Sequence, residues 1–138
     1  MAGGALGAFA AVLDPQGRVL IVRERKPPFR FGFPGGRIEA GETAEAAAVR
    51  ECLEETGLAV EVSHLIGCYS FVNGLEAQVF RCSLTGPAEI AAEDGSEAGW
   101  FDPNAVPTPI RGSLYHALPD LLGARRNVRK TNLPVRES

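Results

Sequence analysis

The strongest chemical signal in the chain is a group of three carboxylates, Glu51, Glu54 and Glu55, within Arg50-Glu51-Cys52-Leu53-Glu54-Glu55-Thr56-Gly57. On a helix advancing about 100° per residue, with Glu51 at zero, Glu54 falls at about −60° and Glu55 at about +40°. All three share one face with the small residues Ala47 and Ala48. Ala46, Val49 and Leu53 lie on the opposite face and are expected to meet the core. Like charges three or four positions apart cost a few tenths of a kcal/mol per pair. Arg50, at about −100°, is expected to point off this face and leave the repulsion unrelieved. Glu54 and Glu55 also sit in the last turn, where the helix dipole disfavours negative charge. A bound cation removes both costs, and an oxygen-only donor set suits Mg²⁺ or Mn²⁺. The plainer alternative is a solvated acidic face.

Upstream, Pro34-Gly35-Gly36 lets backbone approach a ligand closely, with carbonyls able to face a metal. Arg37 follows, and Arg23, Arg25, Lys26 and Arg30 precede it with only Glu24 against them. Phosphate is the anion to expect between such cations and a divalent ion. Candidates for stacking a base are Phe29, Phe31, Phe33, Tyr69 and Phe71, each of which ordinary core packing also explains.

The elements that must position these groups can be read from pattern. Residues 7–13 and 18–23 read as strands joined by the turn Asp14-Pro15-Gln16-Gly17, so a hairpin opens the chain. Residues 26–36 hold three prolines and three glycines, which predicts a shaped loop. A helix is expected over residues 43–56, capped by Thr43 and stopped by Gly57. Residues 58–72 and 75–84 are strand-like, and Asn73-Gly74 suits a type I′ turn. An acidic loop over 86–99 leads to a short strand at Gly99-Trp100-Phe101. Asp102-Pro103 then predicts a helical turn, and a last helix spans residues 113–122. This order predicts an α/β domain of α+β character, a mixed sheet with helices packed on it.

Length and composition fit that reading. The 138 residues are 45% hydrophobic and 22% charged, enough for one domain with a real core. No apolar run approaches the span of a bilayer. The start lacks a signal-peptide pattern, and three unpaired-looking cysteines favour a reducing cytoplasm. A net charge of −3 argues against a stable nucleic-acid partner. A single domain over residues 1–123 is expected, followed by a basic tail over 124–138.

Gly36, five residues, Glu42, seven residues, then Arg50-Glu51-Cys52-Leu53-Glu54-Glu55-Thr56-Gly57-Leu58 resembles the Nudix box of the Nudix (MutT-like) hydrolases. Every charged and glycine position of that pattern is filled, and Cys52 stands where a bulkier aliphatic residue is usual. The resemblance implies an α/β/α sandwich with a mixed sheet between helices. It implies Mg²⁺- or Mn²⁺-dependent hydrolysis of a nucleoside diphosphate linked to some moiety X. It also implies that Glu51, Glu54 and Glu55 hold metal with the Gly35 carbonyl. Arg50 and Glu42 would support them, and Gly36 and Gly57 would shape the backbone. Relatives often add an acid from a later loop, where Glu93, Asp94 and Glu97 are candidates and Glu93 and Glu97 the favoured ones. The general base is either Glu51 or such an acid.

Substrate markers are sparse. ADP-ribose-cleaving relatives tend to carry a proline after the box, and residues 58–86 contain none. Relatives acting on dinucleoside polyphosphates tend to carry a later tyrosine, and none lies between Tyr69 and Tyr115. The expectation is therefore a small nucleoside tri- or diphosphate, in pool sanitation. Cleavage of ADP-ribose, nucleotide sugars or dinucleoside polyphosphates, and a non-catalytic nucleotide sensor, are the alternatives. A homodimer is a further expectation.

Overall fold

Residues 6–135 are described by a computed structural model. The elements are β1 (Leu6–Val12), β2 (Val19–Arg23), β3 (Phe31–Gly32), β4 (Gly35–Arg37), α1 (Ala44–Thr56), β5 (Val60–Phe71), β6 (Glu76–Leu84), β7 (Glu97–Phe101), α2 (Gly112–Leu122) and β8 (Val128–Leu133). A mixed sheet runs β4-β1-β6-β5-β8, and a smaller antiparallel sheet runs β3-β2-β7. β1 is covered on both faces, so its side chains alternate between two cores. Ala8, Ala10 and Val12 pack with Leu20, Ala47, Ala48, Cys52, Leu58 and Phe80 on the α1 side. Phe9 and Ala11 pack with Ile21, Phe33, Ile66, Leu114 and Leu121 on the α2 side. Helices flanking mixed β-structure is the architecture expected.

α1 begins and ends where its caps predict. Thr43 Oγ1 accepts from the Ala46 N–H at 3.1 Å. Gly57, at φ 75°, donates its N–H to the Leu53 carbonyl at 2.8 Å. Its buried face is Ala47, Ala48, Cys52 and Thr56; of the residues expected there, Val49 packs half-buried against this core, whereas Ala46 is exposed and Leu53 is 39% exposed. Alanine and cysteine let the helix axis come close to β1 and β4. The core stripe therefore runs beside the carboxylates rather than behind them.

Four other expectations change. β1 and β2 do not form a hairpin ladder. They share the single bridge Leu13↔Val19 and diverge into different sheets. Within residues 26–36, β3 pairs with β2 and β4 with β1. Pro34 is accommodated because it contributes only its carbonyl, accepting from the Ala10 N–H at 2.8 Å. The Asn73-Gly74 connection has a positive φ at Gly74 (91°) and not at Asn73, and Phe71 N–H bonds the Leu75 carbonyl. That is a three-residue loop closing on a left-handed glycine, not a type I′ turn. Asp102-Pro103 makes a turn, with Asp102 Oδ1 accepting from Asn104 N–H at 2.9 Å, and no helix.

The basic segment after Gly123 places β8 in parallel register with β5, whereas Arg136 lies outside the described residues. An ion-pair network pins the strand. Asp120, fully buried, accepts from Tyr69 Oη at 2.7 Å. It also pairs with Lys130 at 3.1 Å and Arg125 at 3.2 Å. Burial pushes the Asp120 carboxyl up, but these donors outweigh it and hold the group below its ordinary range. Asp120→Ala leaves a hydroxyl and two cations without their acceptor. It should lower stability in chemical denaturation by roughly 3 kcal/mol, toward the lower end for a buried pair because Arg125 reaches water.

Candidate active site

The acidic face of α1 lies on the backbone of β4. Glu55 Oε1 accepts from the Gly35 N–H at 2.8 Å. A Cβ on Gly36 would come within 1.9 Å of Glu51 Oε2, and one on Gly35 within 2.4 Å of the Ala8 carbonyl. A side chain on Gly36 would therefore displace the Glu51 carboxylate, and one on Gly35 would strike the backbone of β1.

Arg50 overturns the expectation that it points away. Its Nε and Nη2 donate to the two Glu42 oxygens at 2.7 and 3.1 Å, a bidentate pair. Its Nη1 reaches Glu54 at 3.3 Å and Glu51 at 3.6 Å, and Nη2 donates to the Arg37 carbonyl at 3.3 Å. A long side chain bridges the angular gap that a helical wheel assigns to its Cβ. Arg50 thus ties the carboxylates to the loop before α1, and Glu42, hydrogen-bonded to Arg50, is held below its ordinary pKa.

One cation does not neutralise the group. Burial, then a shared hydrogen bond with Glu54, raises Glu51 to about 7 despite Arg50. Burial raises Glu55 to about 8, against the Gly35 N–H and with repulsion from Glu51 and Asp94. Of the loop acids, Asp94 lines the cleft with Glu55 and repels both Glu51 and Glu55. The loop is anchored by Ala91 N–H on the Thr56 carbonyl (2.9 Å) and by Glu93 and Asp94 N–H on the Glu54 carbonyl (2.9 and 3.1 Å). These bonds satisfy the open carbonyls at the end of α1. Glu97 instead forms an exposed pair with Arg23 at 3.1 Å.

A cleft of about 440 Å³ joins these features, lined by Arg23, Arg25, Lys26, Arg30, Phe33 and Gly35 together with Glu55, Asp94 and Arg111. Five of the expected substrate-binding positions, Arg23, Arg25, Lys26, Arg30 and Phe33, thus line one cleft with Glu55 of α1. Arg37 faces a neighbouring cavity instead. Phe33 is only 2% exposed and Tyr69 fully buried. Tyr69 is committed to Asp120, and no base can stack on it. Sequence reasoning missed Arg111, which no local pattern marks because it enters the cleft from the start of α2.

Among the described residues no three acidic, histidine or cysteine side chains are gathered into a ready metal cage. Mg²⁺ and Mn²⁺ take oxygen ligands, with waters and substrate phosphates completing what one or two carboxylates begin. Glu51 and Glu55, drawn out of water on one helix face with further acids beside them, are the donor set that suits a divalent cation here. Glu51, Glu54 and Glu55, joined by Asp94, could hold it.

The comparisons with known proteins fall on this geometry. The NUDIX domain pattern matches residues 4–121. A Bacillus subtilis (strain 168) protein provisionally named 8-oxo-dGTP diphosphatase is 40% identical over 136 residues, 96% of this chain and 87% of that one. The ADP-ribose pyrophosphatase of Methanocaldococcus jannaschii is 36% identical over 72% of this chain and 63% of its own length. The crystal structure of a MutT NUDIX hydrolase from Burkholderia pseudomallei superposes with a TM-score of 0.71 at 30% identity, covering 85% of this chain and 97% of that one. A mixed sheet flanked by helices, with an acidic helix docked on a glycine pair, is the fold and site of a hydrolase of phosphoanhydrides. The chain belongs to the NUDIX family and is a Nudix pyrophosphohydrolase.

Two outcomes follow. With folded pKa values of about 7 and about 8 against an ordinary 4.5, the native protein binds more protons than the unfolded chain between those limits. Its metal-free stability should fall as pH rises from about 5 to 8. Thermal melts in chelator should show that slope, flattened in Glu55→Gln, and added Mg²⁺ should raise the melting temperature more at pH 8 than at pH 5. Arg50→Met, which removes the tether but no carboxylate, should lower kcat by roughly 10–100-fold with a smaller change in KM, as steady-state assays would show.

Proposed function

We propose that this protein is a divalent-metal-dependent hydrolase of small nucleoside tri- or diphosphates, acting in the cytoplasm to clear altered nucleotides from the pool. The observation that carries this reading is that Glu55 of the acidic α1 face lines one cleft with Arg23 at the end of β2 and with Arg25, Lys26 and Arg30 of the loop that follows. A polyanion is what such walls bind between them. The size of the cleft and the name of the Bacillus subtilis relative favour a small nucleotide.

A bound Mg²⁺ or Mn²⁺ would neutralise phosphate charge and supply a water acidic enough to act as nucleophile near neutral pH. The residues of the chain do the rest. Glu51, Glu54, Glu55 and Asp94 would hold the cation, and Arg50 with Glu42 keeps the α1 carboxylates in place. Arg23, Arg25 and Lys26 orient the phosphate chain from the opposite wall. Glu51 is the acceptor we assign for the proton of the attacking water.

The test is a hydrolysis panel with Mg²⁺ or Mn²⁺, holding ordinary and oxidised nucleoside triphosphates, diphosphates, ADP-ribose, nucleotide sugars and dinucleoside polyphosphates. Products are identified by mass. Preferential cleavage of a tri- or diphosphate is expected, abolished by chelator. Glu55→Gln should lose more than the roughly 10–100-fold typical of a supporting residue. Preference for ADP-ribose would move the assignment to the activity named for the Methanocaldococcus relative. Nucleotide binding without turnover of any compound would make the protein a sensor.

A further inference from the structure

Beside the cleft lies a second cavity of about 260 Å³, floored by Phe9 and bordered by Phe71 and Ala77. Among the described residues, Arg30 and Arg111 alone line both spaces. Arg30 forms a bidentate pair with Glu24, Nε and Nη2 each at 3.1 Å. Arg111 lies 3.7 Å from the same carboxylate, its guanidinium 5.3 Å from the centre of the Phe9 ring. Two partly buried guanidinium groups thus share one carboxylate. Of the other acids, Glu55 and Asp94 line the cleft and are assigned to the metal, and Glu76 lines the second cavity. Arg111 is also the residue that caps the start of α2, with no side-chain hydrogen bond to the helix. A cation there opposes the helix dipole. Gly32 leaves room for it, since a Cβ would fall 2.6 Å from Arg111 Cδ. A cation placed against a helix N-terminus and a second arginine, with half a counter-ion, is a site short of one anion.

We propose that Arg111, together with Arg30, binds the phosphate nearest the nucleoside of a substrate whose phosphate chain runs along the cleft toward Glu55 of α1. The assignment rests on the nucleotide reading above and names how that substrate is held. Arg111 is a binding residue, so its loss should appear mainly in KM. Removing a charge-assisted hydrogen bond predicts an increase of roughly ten- to hundredfold, and Arg111→Lys, which keeps the charge but not the fork, should recover part of it.

The decisive measurement needs no turnover. Guanosine and adenosine 5′-monophosphate, with their nucleosides as controls, are titrated in chelator into wild type, Arg111→Met and Arg111→Lys, by calorimetry and thermal shift. At least one monophosphate should bind wild type more tightly than its nucleoside, and that advantage should vanish in Arg111→Met and partly return in Arg111→Lys. Equal binding of monophosphate by wild type and Arg111→Met, or no advantage of monophosphate over nucleoside in wild type, overturns the proposal. If Arg111→Met does not fold, the comparison of wild type with Arg111→Lys decides it, through a weakened or an unchanged advantage. Failure of the hydrolysis panel would remove the proposed activity and leave this binding result standing, so the two can fail separately.

Discussion

The contact on which the site depends is that of the α1 carboxylates with the bare backbone of β4. Glu51 fills the space a side chain on Gly36 would need, and Glu55 takes the Gly35 N–H. This close seat pulls two carboxylates out of water and toward each other, and burial is the larger cause of their raised pKa values. Negative charge so concentrated is unfavourable for the protein alone. The same concentration is what gives the site its use for a divalent cation, because each carboxylate gains most where repulsion between them is relieved.

Several distant features answer to that seat. Alanines and a cysteine on the buried face of α1 allow the approach, so Cys52 fits a role in which small volume matters. Arg50 reaches back to Glu42 and across to Glu51 and Glu54, fixing both the preceding loop and the carboxylates. The acidic loop closes the other end with its backbone N–H groups on α1, carrying Asp94 to the glutamates. Held at both ends, the helix presents its charges at fixed positions, which is the condition for electrostatic catalysis.

The opposite wall is built differently. Arg30 is neutralised by Glu24, whereas Arg111 shares that carboxylate at longer range. The two arginines mark the boundary between a polar cleft and an aromatic-floored cavity. On the far side of the sheet, the basic C-terminal segment is drawn into β-structure by Asp120, Tyr69 and Lys130. A residue whose ring suited stacking is thereby converted into a core hydroxyl donor.

What the sequence determined by itself was local. The caps of α1, the strand-like runs, the carboxylates on one helix face and the Gly-Gly pair before them depend on residues within a turn or two, and spacing carries that information. Residues 36–58 form one such unit, which is why the chemistry could be read so directly. What only the tertiary structure decided needed chain segments to meet. β1 and β2 part company because they pair with β6 and β7 from far along the chain. Tyr69 turns inward because Asp120 arrives beneath it. Arg50 turns toward the glutamates because Glu42 and the Arg37 carbonyl stand where its guanidinium can reach them. Arg111 joins a cleft otherwise built from residues 22–35, Glu55 and the loop of Asp94 and Ser96 because α2 packs with its first turn against β3. Periodicity reports which way a Cβ points, but a long side chain and a distant partner are settled only by three-dimensional proximity.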